Sequence, residues 1–464
     1  MDSTTATMNQ EAIEAYAAGD RQAAISLWRA ALSASSDSWE IMAYLGSALK
    51  EEGQLEQAAG YYEQALSLEP RLAEVHYNLG NIRQTEGRLK DAANAYKEAL
   101  SLKPDFGYAW YNLGNVFRDT GKLNAAVDCY KQSILCNPRH APSFNNLGNA
   151  LKHQGDLDQA IQCYRAALDN QPDYGDAMYN LGNLYFEQAD FPRALPWFQR
   201  AQTRDSEARA LYCQYKTKQH EAFAGQLESL LAGAPHHSPQ VATLAAHSAI
   251  NRGGENRYRF CPEPFAMVHH APLAELAGDT APLREALLGD IRGADLEERT
   301  QGRLHEGVQS AGHLFQREEA SFRQLAELLV RELNQYRERF ADADCELISA
   351  FPEQIRFESA WYIRMQQGGF LDAHIHEGGW VSGVVYLSLP ERGNSGEEGC
   401  FELSLHGDDY PVEPGVEFPA QVLDIRVGDL VLFPANLFHR TLPFSDSAER
   451  ICIAFDLMPA GGVR

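Results

Sequence analysis

Three histidines and one arginine near the C-terminal end are the residues whose types and spacing could do chemistry. The stretch DAHIHEGGW (372–380) puts His374 and His376 two residues apart. On an extended strand, residues i and i+2 face the same way, so the two rings project together while Ile375 packs behind them; on a helix they would diverge. A pair of this kind also fits an ordinary surface strand. The stretch GDLVLFPANLFHRTLPF (428–444) changes the balance, because an apolar strand runs into a proline turn and delivers a third histidine, His439. Three imidazoles from two strands form a neutral nitrogen donor set suited to a first-row transition metal. The segment ERICIAFD (449–456) then sorts Ile451, Ile453 and Phe455 onto one face and Arg450, Cys452 and Ala454 onto the other. If the apolar triplet packs outward, Arg450 points inward, where an unpaired charge is expensive. A carboxylate is the natural partner for its planar fork; at a strand end in water it would need none.

The elements that must hold these residues are short strands. SAWYIRMQ, GVVYLSL, QVLDIRV, DLVLFP and RICIAFDL follow one another after residue 358, separated by glycine, proline and acidic turns. That pattern predicts an antiparallel sandwich or barrel rather than a parallel α/β sheet. Before them, REEASFRQLAELLVRELNQYRERF (317–340) has apolar positions at helical spacing, and NRGGENR (251–257) has the glycine-rich look of a domain boundary.

The first half is a repeat. AEVHYNLGNIRQTEGRLKDAANAYKEALSLKPDF (73–106) and the two blocks after it align without gaps at a spacing of 34. Gly80, Gly114 and Gly148 recur, as do Ala92, Ala126 and Ala160, the aromatics Tyr96, Tyr130 and Tyr164, and the closing prolines Pro104 and Pro138. Small residues let paired helices approach, and each proline ends a unit. Six units begin at residues 5, 39, 73, 107, 141 and 175; in the last, Ala189 replaces the turn glycine and Pro196 falls inside the second helix. Asn78, Asn112, Asn146 and Asn180 recur at one repeat position, and Asn81, Asn115, Asn149 and Asn183 at another. Amides both donate and accept, so such a row can hold an extended peptide backbone whatever its sequence; equally, asparagine can be a consensus residue of the repeat itself.

Composition narrows the partners. Among 464 residues, 40 basic and 64 acidic side chains leave a net charge of -24, which argues against nucleic acid and against anionic membrane surfaces. The start MDSTTATMNQ lacks the basic and apolar regions of a signal peptide, and no run of apolar residues approaches a membrane span. Eight scattered cysteines without a CxxC pair exclude zinc fingers and a disulfide framework. The expectation is a cytoplasmic protein.

Period, glycine, alanines, aromatic and proline together resemble the tetratricopeptide repeat, whose superhelical groove holds peptides and partner proteins. The asparagine rows resemble those in the repeats of O-GlcNAc transferases. Residues 257–464 resemble the 2-oxoglutarate- and Fe(II)-dependent oxygenases, on FCPEPF (260–265), SAGHLF (310–315), Trp361 with Gly368 and Gly369, HIH with SGVVYL (382–387), GDLVLFPANLFH, and Arg450 eleven residues after His439. The chain is thus expected to be multidomain α + β. Six repeats (5–208) form an all-α superhelix, followed by capping helices and a linker (209–256), then a double-stranded β-helix, or jelly roll, with flanking helices (257–464). The resemblance implies a dioxygenase that uses Fe(II), 2-oxoglutarate and O2 to hydroxylate a protein or peptide held in the repeat groove. It gives His374 and His439 to iron and Arg450 to the far carboxylate of 2-oxoglutarate, with Tyr386 and Cys452 beside it. Most relatives have a carboxylate where this chain has His376. Either three histidines bind iron, or His376 orients a water or substrate, or Glu377 supplies the carboxylate from an awkward direction. Two rivals remain: a cupin-like metalloenzyme without 2-oxoglutarate, against which the missing cupin glutamate and Arg450 count, and a repeat scaffold with an inactive barrel.

Overall fold

A computed structural model describes residues 3–34, 37–203, 205–232, 238–278, 280–293, 298–299, 302–391 and 396–457. The chain divides into two compact units, Met1–Ser206 and Glu207–Arg464.

The first unit is a series of antiparallel helix pairs. Ala73–Thr85 pairs with Leu89–Leu102, Gly107–Asp119 with Leu123–Cys136, and Ala141–His153 with Leu157–Asn170. The 34-residue period corresponds to helices of 13 and 14 residues joined by tight turns. Its glycine is dictated by packing: a Cβ on Gly114 would stand 2.6 Å from the buried Tyr130 ring, and Gly80 meets Tyr96 in the same way. Each turn places a residue in the left-handed region, glycine at Gly87 and Gly121 but Ala189 (φ 56°) in the last unit, a conformation alanine adopts only at some strain. Pro196 stays inside the final helix, Phe191–Ala201, which has 11 residues where its counterparts have 14.

Among the described residues, the second unit has ten strands, β1 (His269–Pro272), β2 (Glu298–Arg299), β3 (Leu304–Ser310), β4 (Phe357–His374), β5 (Val381–Ser388), β6 (Phe401–Ser404), β7 (Ala420–Leu423), β8 (Asp429–Pro434), β9 (Phe438–Thr441) and β10 (Arg450–Leu457). All pairings are antiparallel, in the order β1-β8-β5-β10-β4-β9-β6-β7, with β3 also on β4. The sheet curls because β4, with β3 along one edge, serves two strands in turn along the other. Its first part, up to Met365, pairs with β10, and its last part pairs with β9 across Leu371–Thr441 and His374–His439. Gly368 (φ 83°) makes the change of direction possible. The result is a half-barrel whose core contains Met365, Tyr386, Phe401, Val431, Phe433 and Leu437.

Helices flank this sheet. Ala320–Arg339 buries Phe322, Leu325, Leu329, Leu333 and Tyr336, the apolar stripe legible in its sequence. The segment 209–256, expected to cap the repeats, groups with the β unit; its residues 233–237 lie outside the described residues. Helix Pro239–Arg252 is buried along most of its length, Ala246 joins the β core, and Thr243 Oγ1 donates to the Asn436 carbonyl at 2.8 Å. That contact steadies the turn leading to His439.

Candidate metal centre and anion pocket

Strand alternation brings His439 and Arg450 to one cavity. The cavity measures about 450 Å³ and is lined by the three histidines, by Arg450, Cys452 and Ala454 of β10, by Trp361 and Ile363 of β4, and by Val384, Phe401, Thr441, Leu304, Leu371, Gln309 and Arg303. Register explains the floor. β10 lies between β4 and β5, so Ala454 stands between Trp361 and Val384, and Cys452 between Ile363 and Tyr386.

The three rings converge. His376 Nε2 lies 3.3 Å from His374 Nε2, ring centroids of His374 and His439 are 4.2 Å apart, and those of His376 and His439 4.7 Å. One nitrogen of each ring lies within 4.8 Å of the others. Each opposite nitrogen faces an acceptor: His374 Nδ1 the Asp372 carbonyl at 2.8 Å, His439 Nδ1 the Leu437 carbonyl at 3.4 Å, and His376 Nδ1 the Asp456 carboxylate at 2.6 Å. A carbonyl or carboxylate oxygen only accepts, so each Nδ1 carries the hydrogen and each Nε2 presents its lone pair inward. Two lone pairs facing each other at 3.3 Å repel unless a cation lies between them. Nitrogens ligating one ion at about 2.1 Å stand about 3.0–3.4 Å apart, so the donor set fits a metal.

Electrostatics point the same way. Burial, followed by the neighbouring His376 ring, depresses His374 to about 3. Burial also holds His439 well below the ordinary histidine range, with His374 and His376 adding to the effect. Both rings are therefore neutral at pH 7, the form a metal requires.

His376 is not brought in as strand alternation predicts. β4 ends at His374, and His376 sits in the turn between β4 and β5. Its ring is aimed by Asp456, whose carboxylate also accepts from Ser382 Oγ (2.7 Å) and Ser359 Oγ (3.2 Å). Burial would raise this carboxyl, but the adjacent His376 and the three hydrogen bonds outweigh it and hold it low. Glu377 faces elsewhere, pairing with Arg209 at 2.6 Å and accepting from Gln240 Nε2 at 2.9 Å. It is spent on two helices of its own unit.

Arg450 is 1% exposed. Its Nε donates to the Gly399 carbonyl at 3.3 Å, Nη1 reaches Cys452 Sγ at 3.4 Å, and the guanidinium lies 5.2 Å from the Tyr386 ring centre. Among the described residues no carboxylate pairs with it. Beside it the buried Tyr386 hydroxyl, among the described residues, makes no well-formed hydrogen bond and has only the Arg450 guanidinium close enough to interact. A buried cation with no counter-ion and a hydroxyl without a well-formed hydrogen bond in one corner make a cradle for an incoming anion.

The asparagines of the first unit are largely committed within the stack. Asn112 Nδ2 donates to Asn81 Oδ1 (2.8 Å), Asn146 Nδ2 to Asn115 Oδ1 (2.9 Å), and Asn180 Nδ2 to Asn145 Oδ1 (2.9 Å). The same acceptors take Tyr96 and Tyr130 hydroxyls, and Asn78 Oδ1 accepts from Lys50. The rows tie one repeat to the next.

Sequence reasoning missed Asp456, Ser359, Ser382, Arg303 and Thr441. The signal for Asp456 was available, since it continues the alternating face Arg450, Cys452, Ala454.

With that geometry established, the comparisons are specific. The family model described as "Putative 2OG-Fe(II) oxygenase" matches residues 359–456. Tetratricopeptide-repeat models match 46–87, 85–118, 107–140 and 145–209. One chain thus joins tetratricopeptide repeats, a protein-interaction module, to a 2OG-Fe(II) oxygenase domain. No match was found among curated proteins. Similar solved structures include MamA (24% identity, 35% of this chain, 94% of that chain, TM-score 0.34). A Pseudomonas aeruginosa pilF structure has 18% identity over 41% and 90% of the two chains, TM-score 0.38. A tetratricopeptide repeat protein from Parabacteroides merdae has 16% identity over 49% and 92%, TM-score 0.40. Among the described residues, no helix is long and apolar enough to cross a membrane.

Proposed function

We propose that the protein is a 2-oxoglutarate- and Fe(II)-dependent hydroxylase acting on a protein or peptide held by its repeats. The single observation that carries the reading is the pairing, in one cavity, of three converging imidazoles with a buried guanidinium that has no acid partner among the described residues. His374, His376 and His439 hold the metal through Nε2. Arg450 binds the far carboxylate of the cosubstrate, and Tyr386 supplies a further hydrogen bond from its hydroxyl. Cys452, whose thiol burial pushes up, stays protonated and fixes the guanidinium from one side.

When bound, iron with 2-oxoglutarate and O2 supplies oxidative decarboxylation to succinate and carbon dioxide, coupled to hydroxylation of a C–H bond. The chain's own residues bind, orient and shield. Leu304, Ile363, Leu371, Val384 and Phe401 keep the cavity walls apolar, and Trp361 lies 5.4 Å from the His376 ring. Thr441 shares the pocket-facing side of β9 with His439. We take residues 5–208 as the substrate-holding repeats, with Asn78, Asn112, Asn146 and Asn180 offering amide atoms to a peptide. Residues 209–256 form the connecting helices and 257–464 the oxygenase domain. Tethering raises the local concentration of a weakly held chain near the cavity. A cupin-like reading gives Arg450 no role, and a cytoplasmic setting suits the eight free cysteines.

Anaerobic titration of iron-loaded protein with 2-oxoglutarate tests the assignment. A weak visible charge-transfer band is expected in the wild type, lost in His439→Ala and displaced to high concentrations in Arg450→Ala. Stoichiometric iron without a band would sink it.

A further inference from the structure

Three neutral nitrogen ligands leave a divalent ion with its full charge, and a buried site tolerates that poorly unless an anion stands nearby. Among the described residues, no carboxylate belongs to the group that converges on this position. A carboxylate is nevertheless present one step back. Asp456 is 6% exposed and lies 2.6 Å from His376 Nδ1, on the side of the ring opposite the converging Nε2 atoms.

Resting on the metal-centre reading above, we propose that Asp456 is a positioning residue: it fixes His376 as the Nδ1–H tautomer with Nε2 turned to the metal, and it supplies the compensating negative charge from behind the ligand.

Four features build this device. Asp456 lies on β10, and its cross-strand neighbours in register are Ser359 on β4 and Ser382 on β5. The two hydroxyls donate to different carboxylate oxygens, Ser359 to Oδ2 and Ser382 to Oδ1, so the carboxylate plane is fixed from both sides. His376 lies beyond the end of β4, where no strand ladder restrains its backbone, and the side-chain anchor takes over that task. The turn comes close enough because residue 379 is glycine: a Cβ there would stand 3.0 Å from Asp456 Oδ1. Finally, the turn is closed by backbone bonds from Gly379 to the His376 carbonyl (3.2 Å) and from Trp380 to the Leu457 carbonyl (2.9 Å). The second joins the residue after Asp456 to the loop that carries His376. Ligating histidines commonly depend on a carboxylate at the other ring nitrogen, and losing it weakens metal binding by about 10- to 100-fold.

The test uses the full-length, metal-free protein and Co(II) as the probe, with affinity, visible spectrum and paramagnetically shifted proton resonances as readouts. The wild type is expected to bind one Co(II) and to show three exchangeable imidazole N–H signals, one from each ligand. His439→Ala abolishes the complex. Asp456→Asn, which keeps shape and removes charge, is expected to weaken binding about 10- to 100-fold, to alter the spectrum, and to shift or lose the His376 N–H signal while retaining the other two. Asp456→Asn binding within threefold of wild type, with spectrum and signals unchanged, would overturn the positioning role and leave the metal centre standing. Failure of the wild type to bind Co(II) would overturn the metal centre and this role with it. If Asp456→Asn does not fold, the wild-type spectrum alone decides: two exchangeable N–H signals instead of three refute the proposal.

Discussion

Replacing Arg450 by methionine should move stability and ligand binding in opposite directions. In the ligand-free protein the guanidinium is buried, with one long hydrogen bond to a carbonyl, a sulfur contact and the Tyr386 ring for company. A desolvated cation–π contact contributes about 2 kcal/mol and a hydrogen bond to a charged group about 1.5–3 kcal/mol. Burying the charge costs at least several kcal/mol. A neutral side chain of similar length avoids that cost; for buried ion pairs, replacement by apolar side chains stabilises by up to about 4 kcal/mol. Arg450→Met should therefore raise the urea unfolding midpoint of the protein free of metal and cosubstrate. It should also remove a bidentate, charge-assisted contact to 2-oxoglutarate, about 3–5 kcal/mol or roughly 10²- to 10⁴-fold in affinity. Calorimetric titration of the cobalt-loaded protein with 2-oxoglutarate reads the second effect. A variant less stable than wild type that keeps 2-oxoglutarate affinity within threefold would refute the reasoning, because Arg450 would then be a structural residue with an adequate internal partner.

Tyr386→Phe removes a hydroxyl that makes no well-formed hydrogen bond among the described residues; ligand-free stability should hold or rise slightly, while 2-oxoglutarate affinity in the same titration falls about threefold to tenfold, one hydrogen bond's worth. Gly114→Ala sets a methyl group 2.6 Å from the Tyr130 ring and should destabilise the repeats by about 1–3 kcal/mol, seen as a lower midpoint for Trp110 fluorescence without change in Co(II) affinity. Acid should weaken the second unit through His247, depressed to about 3 by burial and then by His406. The fold favours its neutral form, so the unfolded chain takes up a proton below about pH 6.5 that the native state refuses. Stability is present above that pH and falls as pH drops toward 3, by about 2 kcal/mol at pH 5 from this group. Unfolding curves at pH 7 and 5 should show the loss in wild type and a smaller one in His247→Gln.

The parts legible in the sequence were those governed by periodicity. The 34-residue repeat exposed the helix pairs because each glycine must face an aromatic ring, and period-two alternation on β10 separated Ile451, Ile453 and Phe455 from the pocket-facing Arg450, Cys452 and Ala454. What alternation could not supply was the end of a strand. Nothing in DAHIHEGGW announces that β4 stops at His374, so the approach of His376 depends on a carboxylate eighty residues later that only strand pairing brings near. The asparagine rows illustrate a different limit. Their spacing gave a common helical face, but an amide facing its neighbour in the next repeat and one facing a groove share the same periodicity, and the observed partners, such as Asn81 for Asn112, lie 31 residues away. The helices expected in 209–256 are present, but an apolar stripe records that a helix is covered, not by what.

β10 carries Arg450 at one end and Asp456 at the other, six residues apart on one face. An extended strand advances about 3.4 Å per residue, so the two anchors are separated by about 20 Å of unstretchable backbone. The strand is a ruler between the group proposed to grip the cosubstrate's far end and the group behind a metal ligand. Deleting one residue between them would turn one anchor out of the cavity, and deleting two would shorten the ruler by about 7 Å, more than a dicarboxylate could absorb. On the proposed assignment, selectivity for cosubstrate length would reside in a chain interval as well as in the pocket's walls, and insertions or deletions within 450–456 should be far more damaging than substitutions there.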